Sequence, residues 1–108
     1  MMSAIDKVTA HYNSLGVKKT YVPEWDLDVF SSPATVHNYQ RIQKNTADKD
    51  DSEWCCRAII ELAKDSEGDA LFTIEDLQKL RTMTPFAVLT RVAMELGKIP
   101  SIEEQKGN

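Results

Sequence analysis

The stretch "KKTYVPEWDLDVF", Lys18 to Phe30, decides how the rest of the chain is read. Thr20, Tyr21 and Val22 favour extended backbone. Pro23 cannot donate a ladder hydrogen bond and pushes Val22 toward extended geometry, so it closes the first strand. Beyond it Trp25, Leu27 and Val29 alternate with Asp26 and Asp28, the period of a half-buried strand. The stretch therefore predicts a β-hairpin with its turn near Glu24–Asp26. A lone two-stranded ribbon is marginal in water and needs helices to pack on. Trp25 is the expected anchor, because its ring carries a large apolar area at small entropic cost.

Helices lie on both sides of the hairpin. Upstream, Ser3 and Asp6 have the spacing of a capping box, Ile5, Val8, Tyr12 and Leu15 share a helical face, and Gly16 suits the helix end. Downstream, Ser32 is a candidate N-cap with Pro33 in the first helical position, and Val36, Tyr39 and Ile42 form a narrow apolar stripe. A polar linker, "TADKDD", follows. Asp51 or Ser52 then caps a third helix, on which Trp54, Cys55, Ala58, Ile59, Leu62 and Ala63 make the broadest apolar face in the sequence. "KDSEGD" reads as a turn with Gly68 at positive φ. "ALFT" reads as a short extended segment that plants Leu71 and Phe72 in the core. Thr73 and Asp76 open a fourth helix with Ile74, Leu77 and Leu80 inward. Thr84–Pro85 restarts the chain as a fifth, lined by Phe86, Leu89, Val92, Ala93 and Leu96 and stopped by Gly97 and Pro100. The prediction is a single α+β domain over residues 1–108, mostly helical, with the N-terminal hairpin packed on four to five short helices. Residues 1–17 form a terminal helix open to fraying, 18–97 the core, and 98–108 a loose polar tail. Trp25, Trp54 and Phe72 are its expected aromatic anchors.

Composition excludes several functions. The chain has 108 residues and a net charge of −4, so it lacks the basic footprint that phosphate contacts require. No apolar run has the length of a membrane span, and a cytoplasmic protein is expected. The two cysteines are adjacent, Cys55 and Cys56, which is neither redox nor zinc spacing. On a helix they project about 100° apart, so one is expected in the core and the other at its edge. His11 and His37 have no ligand-spaced companions. Asp65, Glu67 and Asp69 imitate the start of a calcium loop, but Ala70 stands where such a loop needs Gly, and a solvated turn is the better account. The segment Thr73–Gly97 could pass for a helix-turn-helix. Its second helix offers Arg91 as its one basic side chain, so burial explains it better than DNA reading. No catalytic, cofactor or metal residues are expected.

At Val22-Pro23-Glu24-Trp25 the chain resembles the tail assembly chaperones of long-tailed bacteriophages. Those proteins carry a Val-Pro-Glu-Trp phrase between two short strands. A helical stretch follows, then an Asp-x-x-Gly-x-x-Leu-Phe-Thr-like turn, here Asp65 to Thr73, and two closing helices. The resemblance spans roughly Lys18 to Gly97. In that family the phrase is usually followed by Gly; here Asp26 takes the place. The resemblance implies a chaperone that binds the long tape measure protein, keeps it soluble in the host cytoplasm, helps recruit tail tube subunits, and is absent from the mature virion. Self-association is compatible with such a role. A structural head–tail connector or minor tail protein is the alternative reading, and a small DNA-binding regulator the second. The expected partner-binding positions are apolar side chains beyond what a small core needs: Tyr21, Phe30, Tyr39, Met83 and Met94. Phe86 belongs to the same set, but its place on the inner stripe predicts burial.

Overall fold

The computed structural model describes residues 3–46 and 51–97. Most of the linker and all of the tail read from the sequence lie outside them. The elements run α1 (Ala4–Leu15), β1 (Lys18–Val22), β2 (Leu27–Ser31), α2 (Val36–Thr46), α3 (Asp51–Leu62), α4 (Leu77–Met83) and α5 (Phe86–Gly97). A 3₁₀ turn, Ile74–Asp76, leads into α4. The fold is α+β, with the hairpin ahead of the main helical body.

β1 and β2 pair antiparallel, Lys18 opposite Ser31 and Val22 opposite Leu27. Alternation puts Val22, Val29 and Ser31 against the helices and Tyr21 and Asp28 outward. Trp25 is not a strand residue, contrary to the period-2 reading: it lies in the turn Pro23–Asp26, where its amide bonds back to the Val22 carbonyl at 3.1 Å. Asp26 has φ +48°, the one non-glycine in the left-handed region among the described residues. That backbone explains the glycine expected at this position from the family resemblance. Asp is among the few side chains that tolerate the conformation.

α3 is the centre of the helical body, packed against α2, α4 and α5. Ala58 and Ile59 are fully buried on it, as is Ala63 just past its end, and Val22, Val29, Leu89, Val92 and Leu96 complete the core around them. Cys55 and Cys56 are both buried, at 8% and 0% exposure, rather than one in the core and one at its edge. A helix covered on several sides hides two directions 100° apart. Asp51 and Ser52, the expected caps, fall within the first turn of α3.

Local signals placed two helix starts. In α1 the Ser3 hydroxyl accepts from the Asp6 amide and the Asp6 carboxylate from the Ser3 amide, each at 3.2 Å. At the 3₁₀ turn the Thr73 hydroxyl accepts from the Glu75 amide and the Asp76 carboxylate from the Thr73 amide. α2 departs from expectation. Its cap is Thr35, not Ser32, because Thr35 and Asn38 exchange two bonds: the Asn38 amide donates to Thr35 Oγ1 at 3.2 Å and the Thr35 amide to Asn38 Oδ1 at 3.0 Å. A reciprocal pair satisfies two backbone donors where a lone serine satisfies one. Of its expected stripe only Ile42 is buried; Val36 and Tyr39 are exposed.

The "KDSEGD" turn closes on itself. Asp65 Oδ1 accepts from the amides of Glu67 and Asp69, and Gly68 takes φ +90°. Lys64 then bridges two neighbours, bonding Phe30 in both directions and pairing with Ala70. Leu71 and Phe72 end up half-buried against the core rather than within it. Ile74, expected inward, is exposed, while Leu77 is half-buried and Leu80 buried. On α5 Phe86, also expected inward, is 62% exposed, and Val88 is buried instead. At 100° per residue Phe86 stands about 90° from the centre of the buried stripe.

Candidate functional site

An open groove of about 340 Å³ runs beside the hairpin turn, walled by Trp25, Leu27, Phe72, Asp76, Lys79, Leu80, Met83 and Thr84. Three separate segments build it. Trp25 and Leu27 come from the turn and the start of β2. Phe72 comes from the extended segment before the 3₁₀ turn. Leu80 and Met83 come from one face of α4, three residues apart. Trp25 meets Phe72 edge to face, ring centroids 6.0 Å apart and planes at 71°. This aromatic pair is the floor on which the groove rests. Met83, at 76% exposure, forms its rim, and exposed Phe86 follows three residues on.

Ion pairs fix the turn in place. Arg91 of α5 donates to both carboxylate oxygens of Glu24, with Nη1–Oε2 at 2.9 Å and Nη2 closing on Oε1. The guanidinium bond holds the Glu24 carboxyl below its usual range and raises Arg91 further. Lys18 Nζ reaches the Glu95 carboxylate at 2.8 Å and its carbonyl at 2.9 Å, so β1 is tied to α5 at its other end as well. Tyr21 Oη donates to Asp26 Oδ1 at 2.8 Å, which raises the Tyr21 pKa.

Among the five partner-binding candidates, Met83 alone lines the groove. Tyr21 and Met94 are exposed outside the set of groove-lining residues, Tyr21 on the outward side of the hairpin and Met94 on α5. Phe30 is half-buried at its bridge to Lys64. Tyr39 is exposed but leans on Trp54, ring centroids 6.1 Å apart. Sequence reasoning treated Trp25 and Phe72 purely as anchors. Each packs against the core and also walls the groove, a double role that no single-segment pattern reveals. A second concavity of about 280 Å³ between α2 and α3 is polar, with the guanidinium of Arg41 held by Glu61 at 3.1 Å and that of Arg57 held by Glu53 at 3.0 Å. The groove's chemistry is burial: an apolar trough with one carboxylate and one ammonium beside it suits an apolar helical stripe. No helix among the described residues is long and apolar enough to cross a membrane.

No protein-family model matches the chain, and no curated protein matches it by sequence. A search of solved structures does find a likeness. The fold is similar to that of the bacteriophage HK97 tail assembly chaperone, with a TM-score of 0.54 and 20% identity, covering 88% of this chain and 95% of that one. At this identity the likeness establishes a shared fold, spanning nearly the whole of both chains.

Proposed function

We propose that this chain is a bacteriophage tail assembly chaperone that binds the tape measure protein, keeps it soluble and helps bring tail tube subunits to it. The observation that carries the reading is the near full-length likeness to a tail assembly chaperone. The hairpin with Val22-Pro23-Glu24-Trp25 at its turn and the Asp65–Thr73 turn both occur where the resemblance expects them. A tape measure protein is a long, largely helical chain whose apolar stripes aggregate when bare. The groove beside Trp25 and Phe72, with Met83 among its lining residues, offers apolar surface to one such stripe. A net charge of −4 keeps the covered complex soluble. Weak contacts repeated along the partner give avidity and still yield to incoming tube subunits.

Co-expression with the cognate tape measure protein tests the reading. The partner should move from the insoluble to the soluble fraction and co-purify with this chain. A tape measure protein equally insoluble with and without it would end the proposal. Mass spectrometry of purified virions separates the chaperone from a structural connector: the chaperone should be missing from the particle.

A further inference from the structure

We infer that the Glu53–Arg81 ion pair latches α4 to α3, and that this latch holds the groove wall in the shape a partner meets. Arg81 is then a positioning residue of the groove, although it does not line it. α4 and its two flanking residues supply Asp76, Lys79, Leu80, Met83 and Thr84 to the groove, so the wall moves with this helix. Burial holds α4 lightly. It has seven residues, and Leu80 is its one buried side chain. A 3₁₀ turn precedes it, the Asp76 side chain does not cap it, and Thr84 beyond it is extended. A two-turn helix with so little burial belongs to the low end of local stability.

Glu53 is the opposite case. It lies in the first turn of α3, the centre of the helical body, with 6% of its side chain exposed. A carboxylate so placed must keep its charge compensated. Its two oxygens serve two guanidinium groups. Oε2 accepts from Arg57 Nε, one turn along α3, at 3.0 Å, and Oε1 faces Arg81 Nε of α4 at 3.4 Å. The first pair is local to one helix. The second joins a fixed post on α3 to a half-exposed side chain on α4. Solvent weakens the pair from the Arg81 side, so the latch can open while α3 stays folded. Arg57 still compensates Glu53 when Arg81 is gone. The latch itself stands on this geometry; its effect on partner binding rests on the proposed function.

Amide hydrogen exchange of the full chain, followed by mass spectrometry, tests the latch without a partner. Arg81→Met keeps the stem and removes the charge. It should speed exchange in Leu77–Met83 several-fold while α3 and α5 keep their protection. Arg81→Lys, which keeps a cation within reach of Glu53, should restore most of that protection. Arg57→Met removes the local pair alone and should leave α4 as in the parent. A merely stabilising role would loosen α3, α4 and α5 together. Affinity for an immobilised tape measure segment should fall with Arg81→Met and recover with Arg81→Lys. Unchanged exchange in α4, an equal rise through α3 and α5, or the same effect from Arg57→Met would overturn the latch. Faster exchange in α4 with full affinity would overturn its role in the groove. If the parent itself fails to bind, the chaperone reading falls and the exchange result still decides the latch.

Discussion

Arg91 of α5 holds both carboxylate oxygens of Glu24, 67 residues away in the chain, and so fastens the hairpin turn to the last helix. Each member of Val22-Pro23-Glu24-Trp25 has its own physical task. Val22 is core, Pro23 ends the strand, Glu24 ties the turn to α5, and Trp25 packs on Phe72. The phrase is a joint between the sheet and the helices, and the groove is a consequence of that joint.

The Glu24–Arg91 pair should show itself in acid. Glu24 has a lowered pKa in the fold, so its contribution is present above the unfolded value and is lost as pH falls through the folded one. Arg91→Met keeps the packing of the stem and removes the charge. The melting temperature of the variant should lie below that of the parent at neutral pH, and the gap should close as the carboxylate protonates. Because the pair is exposed, the gap should be small and shrink with added salt. A gap that persists unchanged in acid would assign it to something other than this pair.

Asp26 is held at φ +48°, where a β-branched side chain fits badly. Asp26→Val should cost about 1–2 kcal/mol in urea unfolding, and Asp26→Asn much less, because Asn tolerates the left-handed region. Asp26→Asn should also lower the pKa of Tyr21, since it removes the carboxylate that bonds its hydroxyl. Equal stability of the Val and Asn variants would show that the turn relaxes freely.

Trp25 is half-buried, so its loss should cost less than that of a fully enclosed ring. A buried Trp→Ala change costs about 3–5 kcal/mol, and roughly half of that is expected for Trp25→Ala. A double-mutant cycle with Phe72→Ala should return a coupling of about 0.5–1.5 kcal/mol for the edge-to-face pair. Coupling near zero would mean that the rings are neighbours without mutual support.

The cysteines are packing residues. Cys55→Ala and Cys56→Ala should each lower the melting temperature, Cys56→Ala the more, because Cys56 is wholly buried and Cys55 is 8% exposed. Thermal melting gives the order, and a Cys55→Ala, Cys56→Ala chain should still solubilise the partner. A folded double variant without that activity would give the thiols a role that nothing in the structure explains.

What the sequence made legible was local chemistry. Ser3–Asp6 and Thr73–Asp76 are reciprocal bonds between residues three apart, so spacing alone betrays them. The hairpin is legible for the same reason, from Pro23 and the alternation beyond it. Neighbours decide the rest. Ile42 and Tyr39 lie on one face of α2, yet only Ile42 is buried, and Tyr39 stays exposed although it leans on Trp54 of α3. Phe86 belongs to an apolar pattern but stands at its edge, where tertiary packing and not periodicity assigns exposure. The groove was invisible because its walls come from three segments, and no pattern within one segment shows that they meet.

The most direct test of the central claim is the affinity of the purified chain for an immobilised tape measure segment, measured at low and at high salt beside Met83→Glu. Burial is the proposed source of binding, so affinity should persist at high salt. Charging the exposed rim at Met83 should weaken it about tenfold or more, the worth of one buried thioether side chain. Binding that vanishes at high salt, or that Met83→Glu leaves untouched, would contradict the groove as the contact; no binding at any salt would contradict the chaperone reading itself.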